Sequence, residues 1–362
     1  MTDFMKSSAL RTGAAAVLGI MAGASVGPGA AVAADCANAD GASFICGVNN
    51  VEDLQVLPGG DWIIGSDLAG LGNQGHFWLF NRNHDVRPID PSEIAIGSGG
   101  GDRSCPGVPD WSVFEPHGLG MKEIGGKTVF VAINHGGRET LEFFDVDMGG
   151  AEPTLTWTGC TVAPEGQWPD DIAVMPDGSL FVTSLWDPAD ETRVEKLIDG
   201  KPVGGMLSWS AGDGWAMVPG YDGVSGPNGI IASENGEDVF IAAWSGKKIL
   251  HAKADDMAAF TEVAMDYPPD NLNWSQDGKT ILVGGIAGTI LEALQCLGTD
   301  KVNCPEVGMR VDRYDREAGT VEPVIAPRAY GVLGTGTGAV EVGDEIWVGV
   351  FRGDRIAVFP RN

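Results

Sequence analysis

One short pattern occurs six times along this chain: a turn built on Gly or Asp, followed by a β-rich run. It reads Pro58-Gly59-Gly60-Asp61-Trp62-Ile63-Ile64, then Gly125-Gly126-Lys127-Thr128-Val129-Phe130-Val131, then Pro176-Asp177-Gly178-Ser179-Leu180-Phe181-Val182. It returns at Asn235-Gly236-Glu237-Asp238-Val239-Phe240-Ile241, at Asp277-Gly278-Lys279-Thr280-Ile281-Leu282-Val283 and at Gly343-Asp344-Glu345-Ile346-Trp347-Val348. Trp62 and Trp347 stand 285 residues apart across five intervals, or 57 residues per unit. That is a little above the ~40–50 residues of common propeller repeats and holds four strands with their turns. Each copy reads as the second and third strands of a blade with a tight turn between them. The 54 Gly and 21 Pro have no collagen-like period and fit many such turns. Six similar β units close into a ring. The expected fold is therefore all-β: a six-bladed β-propeller with a central tunnel, forming one domain over residues 35–362. Helix is confined to short turns at Asp255 to Phe260 and Leu291 to Leu297, and Gly-rich Ser98 to Asp102 reads as a surface loop.

The first 34 residues stand outside that pattern. Lys6 and Arg11 precede a short apolar stretch, Ala14 to Val26, and a small-residue cleavage site at Ala31-Val32-Ala33. This is the pattern of a signal peptide, too short in its apolar part to anchor. The expected location is periplasmic or secreted, with no integral membrane segment in the mature chain. The whole chain carries a net charge of −27, and removing the leader leaves −28. Such charge excludes nucleic acid as a partner and disfavours anionic membranes. All six cysteines follow the leader, and an even number in an exported chain points to disulfides. Fifteen pairings are open. Cys36 with Cys46 and Cys296 with Cys304 are the local ones, and they leave Cys105 with Cys160. No CxxC occurs, so a cysteine-based zinc site is not indicated.

In a propeller the innermost strand of each blade lines the channel, and a site on the axis draws one or two residues from each blade. Four acid or amide pairs precede apolar runs at matching positions: Glu52-Asp53, Asp170-Asp171, Asn228-Gly229 and Asp270-Asn271. Adjacent strand residues point to opposite sides, so one member of each pair can face the axis. Carboxylates and amides are hard oxygen ligands suited to calcium. Held close together, they need a cation to offset repulsion and desolvation. His117, in Pro116-His117-Gly118, and His135, in Asn134-His135-Gly136, fall within one blade's length and can form a general-base dyad. His76, His84 and His251 are read as structural. Trp168, Trp186, Trp244 and Trp274 lie close to these positions and can wall an apolar pocket.

These segments, with Gly334-Thr335-Gly336, resemble in order and spacing the paraoxonase/arylesterase family, within the wider gluconolactonase-like propellers. The resemblance implies a six-bladed propeller with calcium in its tunnel, as one or two ions. It implies an outer, catalytic ion held by Glu52, Asp170, Asn228, Asp270 and Asn271. A deeper, structural ion would use Asp53 and Asp171, and His117 with His135 would be the dyad. The implied activity is calcium-dependent hydrolysis of a small-molecule lactone or aryl ester. Two alternatives stay open: isomerase, lyase or phosphoester chemistry on the same metal, and an exported ligand-binding propeller without catalysis. The family usually has Asn where this chain has Asp170, and the extra carboxylate should tighten the cation and weaken it as a Lewis acid. No cysteine follows Cys304, so the ring must close by strand pairing or local bridges.

Overall fold

The computed structural model describes residues 36–361 apart from 69 and 71–73. The leader expected over residues 1–34 lies outside the described residues. Six sheets, antiparallel but for one parallel edge strand in the second blade, follow one another around a ring, and the chain is a six-bladed β-propeller. The innermost strands are Val51–Val56, Pro116–Ile124, Pro169–Val174, Pro227–Ala232, Pro269–Trp274 and Gly336–Val342. Four of the six begin with Pro, which a strand tolerates at its first residue because no ladder hydrogen bond is lost there.

The six sequence copies mark a different part of the blade from the one expected. Turn 57–61 joins the first strand of its blade, Val51–Val56, to the second, Trp62–Asp67. Gly125-Gly126 does the same between Pro116–Ile124 and Lys127–Asn134. The second strand is the most regularly apolar, because it is buried between two neighbouring blades, and so it carries the strongest repeat signal. Ile63 packs with Val340 and Trp347 across the first and last blades. Ile133 and Val182 pack with Ile172 between the second and third, and Phe240 packs with Leu272 and Val283 between the fourth and fifth. The core is thus a ring of blade-to-blade interfaces.

The ring closes by strand pairing. Ser43–Cys46 adds to the outer edge of the last blade, antiparallel to Arg355–Pro360, with Phe44 opposite Ala357. That covers what would otherwise be an open sheet edge. Disulfide Cys36–Cys46 fixes the preceding segment. Cys296–Cys304 is the second of the two local pairings expected, and Cys105–Cys160 is the pair that they leave.

Two local readings change, the loop at Ser98 to Asp102 and the helical turn at Asp255 to Phe260, while the helical turn at Leu291 to Leu297 is borne out. Ser98 to Asp102 falls largely within a strand, Ala95–Gly101, which adds parallel to Thr154–Val162 at the outer edge of the second blade. Asp102 pins its end by accepting from Thr161 Oγ1 (2.7 Å) and Trp209 Nε1 (2.8 Å). Asp256–Ala264 is a strand rather than helix, paired with Lys248–Lys253. Two short helices sit in loops: α1, Arg193–Ile198, and α2, Ile290–Leu297, the latter with a Thr289/Glu292 capping box. Among the described residues no helix is long and apolar enough to cross a membrane.

Candidate metal centre and histidine relay

Each innermost strand carries the same irregularity. Its first and fourth residues pair with the second strand one residue out of register, as at Pro227/Ile230 and Pro269/Leu272. The same shift occurs at Val51/Leu54, Pro116/Leu119, Pro169/Ile172 and Gly336/Ala339. A bulge of this kind releases side chains from the regular alternation and re-aims them. The two residues inside each bulge make two rows around one mouth of the tunnel.

The first row is Glu52, His117, Asp170, Asn228, Asp270 and Thr337, all lining a single cavity of about 80 Å3. The second row is Asp53, Gly118, Asp171, Gly229, Asn271 and Gly338. Here an acid or amide alternates with glycine for a steric reason. A Cβ on Gly118 would stand 2.1 Å from the Asp170 carbonyl oxygen, and one on Gly229 would stand 2.4 Å from that of Asp270. Asp53 accepts from its own neighbour Leu54 N (2.7 Å) and, in the next blade, from Leu119 N (2.9 Å). Asp171 repeats this with Ile172 N (2.8 Å) and Ile230 N (2.7 Å). Both oxygens of each carboxylate therefore clamp one blade to the next through charge-assisted bonds. Asn271 donates to Glu52 Oε1 at 3.0 Å.

The first row is left with unpaired oxygens. Glu52 Oε2, Asp170 Oδ2 and Asn228 Oδ1 are buried without a hydrogen-bond partner, and they come from three different blades. Glu52, Asp53, Asp170, Asp171 and Asp270 are all at most 4% exposed. Burial first, and then the repulsion of Asp270, Asp53, Asp170 and Asp171, push the Glu52 carboxyl well above its usual range. Burial likewise raises Asp170 and Asp171, takes Asp53 up to about 7, and takes Asp270 up to about 8. Among the described residues the one basic side chain within 4 Å of these acids is His117, whose Nε2 lies 3.5 Å from Glu52 Oε2. Orphaned buried acceptors together with mutually repelling acids are what an oxygen-bound cation relieves. The donor set fits calcium, which accepts carboxylate, amide and carbonyl oxygens in loose geometry. Among the described residues no group of three or more His, Cys, Asp or Glu side chains is placed to hold a metal ion as it stands.

The histidines meet beside these acids. His117 Nδ1 lies 3.1 Å from His135 Nε2, and His135 Nδ1 lies 2.6 Å from Glu139 Oε2. Asn134 shapes the bend, its Oδ1 accepting from Glu115 N (3.0 Å) and Gly136 N (2.9 Å). Burial, and then the neighbouring His135, hold His117 well below the usual imidazole range, so it is neutral. His135 stacks on Trp168 at 4.5 Å, and Trp168 stacks on Trp186 at 4.6 Å. With Trp244, Leu68, Leu185, Leu294, Leu297 and Phe351 these rings make the cavity walls apolar.

Trp274 belongs elsewhere. It stands at the far end of its axial strand and lines a separate cavity of about 580 Å3 at the opposite mouth. That cavity is larger but is lined by none of the unpaired carboxylates. His76, His84 and His251 sit away from the axial cavity, His84 against Glu345 (2.8 Å) and His251 against Asp238 (2.7 Å). Sequence reasoning missed Thr337 and Glu139. Thr337 was signalled by its place in Gly336-Thr337-Gly338-Ala339, the sixth copy of the bulge. Glu139 follows the last axial histidine by four residues in a loop, and no repeat marks it.

No family model and no curated protein matches the sequence. Among solved structures, the chain is similar to a luciferin-regenerating enzyme, with 11% identity, 88% of this chain and 95% of the other covered, and a TM-score of 0.52. It is also similar to a chain of a nidogen/laminin complex, with 11% identity, 76% and 82% covered, and a TM-score of 0.45. A functionally unknown protein from Desulfotomaculum acetoxidans DSM 771 gives 11% identity, 89% and 90% covered, and a TM-score of 0.41. At 11% identity the likeness to the luciferin-regenerating enzyme is one of fold alone.

Proposed function

We propose that this chain is a calcium-dependent hydrolase of a lactone or aryl ester. The observation that carries the reading is the meeting, at one apolar-walled cavity, of three unpaired buried oxygens from Glu52, Asp170 and Asn228 with the paired imidazoles of His117 and His135. Glu52, Asp170, Asn228 and Asp270 would hold the ion, and Asn271 orients Glu52. Asp53 and Asp171 are the residues for a second, deeper ion, in addition to their work between blades. Calcium bound there would neutralise the acid cluster and would supply a Lewis acid for a substrate carbonyl. The neutral His117, facing the cavity through Nε2, takes a proton from the attacking water and returns it to the departing oxygen. His135 keeps the His117 ring in place. Trp168, Trp186, Trp244 and Phe351 seat the apolar part of the substrate and exclude bulk water. The sequence resemblance to the paraoxonases and the likeness in fold to an enzyme of the propeller class support the same reading. The three disulfides suit an oxidising, extracytoplasmic compartment.

The test is turnover of phenyl acetate and a lactone panel before and after EDTA. Hydrolysis that falls to background on chelation and returns with added calcium is expected. Hydrolysis indifferent to EDTA would overturn the calcium dependence, and the absence of turnover from a calcium-loaded protein would overturn the hydrolase reading and favour a ligand-binding propeller.

A further inference from the structure

His135 meets a carboxylate on one side and a neutral imidazole on the other, and that arrangement dictates where its proton sits. A carboxylate only accepts, so Glu139 Oε2 at 2.6 Å requires the proton of His135 to be on Nδ1. The Nε2 of a neutral His135 then carries a lone pair. The contact of 3.1 Å between that Nε2 and His117 Nδ1 requires His117 to donate through Nδ1. A neutral ring has one N–H, so His117 Nε2 is left bare. This is the atom that faces Glu52 Oε2 at 3.5 Å, too far for a hydrogen bond, on the cavity side. The free imidazole prefers the opposite tautomer, with its proton on Nε2. Without Glu139, His135 would revert to that form and present an N–H to His117, whose Nδ1 would become the acceptor and whose Nε2 would carry the proton. The base would then be blocked.

We infer that Glu139 is a positioning residue that sets the tautomers of both histidines and so leaves His117 Nε2 free to act as the base. The assignment rests on the hydrolase reading for its catalytic consequence, but not for the tautomers themselves. In the step it serves, a water O–H bond breaks and its proton joins His117 Nε2, while the water oxygen bonds to the carbonyl carbon. The positive charge that forms is shared with His135 across the Nδ1–Nε2 bond and offset by Glu139. The bond from the carbonyl carbon to the leaving oxygen then breaks, and that oxygen receives the proton. Glu139 suits the task because its side chain is 36% exposed while that of His135 is 5% exposed. The imidazole it orients is clamped between it and the Trp168 ring.

The test is long-range proton–nitrogen NMR on the full mature protein, calcium-loaded and labelled with 15N-histidine. The chain has only five histidines, and His135 is assigned with the His135→Gln variant. A neutral His135 protonated on Nδ1 is expected, and Glu139→Ala should convert it to the Nε2-protonated form with the His84 and His251 signals unmoved. Glu139→Gln, whose amide oxygen still accepts, should keep the Nδ1 form. In ester hydrolysis Glu139→Ala should lower kcat by about 10- to 100-fold, as loss of an orienting partner typically does, and Glu139→Gln should recover part of it. A wild-type His135 protonated on Nε2 or on both nitrogens, or one whose pattern is unchanged in Glu139→Ala, would overturn the inference. If no ester or lactone is turned over, the hydrolase reading fails while the NMR result still decides the role of Glu139.

Discussion

His117→Gln is expected to lower kcat for a phenyl ester by about 10²- to 10⁴-fold, the usual contribution of a positioned general base, while calcium content stays at the wild-type value. The ring is buried and neutral, and its bare nitrogen faces the cavity beside Glu52. Gln is close to His in size and polarity, so the variant should keep its melting temperature within a few degrees of the wild type's. The separation between activity and metal retention is what makes the variant informative. A loss of both together would mean that His117 holds the acid cluster in place rather than serving as base. Full activity would remove the histidine pair from the mechanism.

The second large effect is on stability. Protein stripped of calcium should become less stable as pH rises from about 4 to 8, and added calcium should abolish the trend. The sign follows from the folded-state acidities. Asp53 and Asp270 are raised to about 7 and about 8, and Glu52, Asp170 and Asp171 are raised too. A carboxyl whose folded pKa lies above its unfolded one stabilises the fold while protonated. That stability is complete below the unfolded value near 4 and is lost as pH climbs through the folded value. The acids titrate as a coupled set, so the loss belongs to the cluster as a whole rather than to any one carboxyl. Differential scanning calorimetry in EDTA should show the melting temperature falling by roughly 5–10 °C between pH 5 and pH 8. A metal-free protein most stable at pH 8 would mean that the acids are not buried against one another.

The repeat, the closed ring and the three disulfides were legible in the chain because each leaves a mark at fixed spacing. The axial acids were legible for the same reason, since they enter apolar runs at matching places in each unit. What the pattern did not distinguish was how adjacent residues divide their work. Asp170 and Asp171 are neighbours of one chemical type, yet the bulge leaves an Asp170 oxygen unpaired at the cavity while Asp171 spends both oxygens on Ile172 and Ile230 peptides. That division depends on a one-residue register shift, which leaves no mark in composition. The strand Ala95–Gly101 was hidden by its glycines, and its place is fixed by partners distant in sequence, Thr161 and Trp209. Glu139 was hidden because a single acid in a loop gains meaning only from the ring it touches.

The acid cluster makes the central claim open to a direct check. Elemental analysis of the mature protein, purified without chelator, followed by calorimetric titration of calcium into chelator-stripped protein, measures it. The account predicts at least one calcium per chain, with binding abolished or greatly weakened in Asp170→Ala. A protein that carries no calcium and takes up none on titration would contradict it.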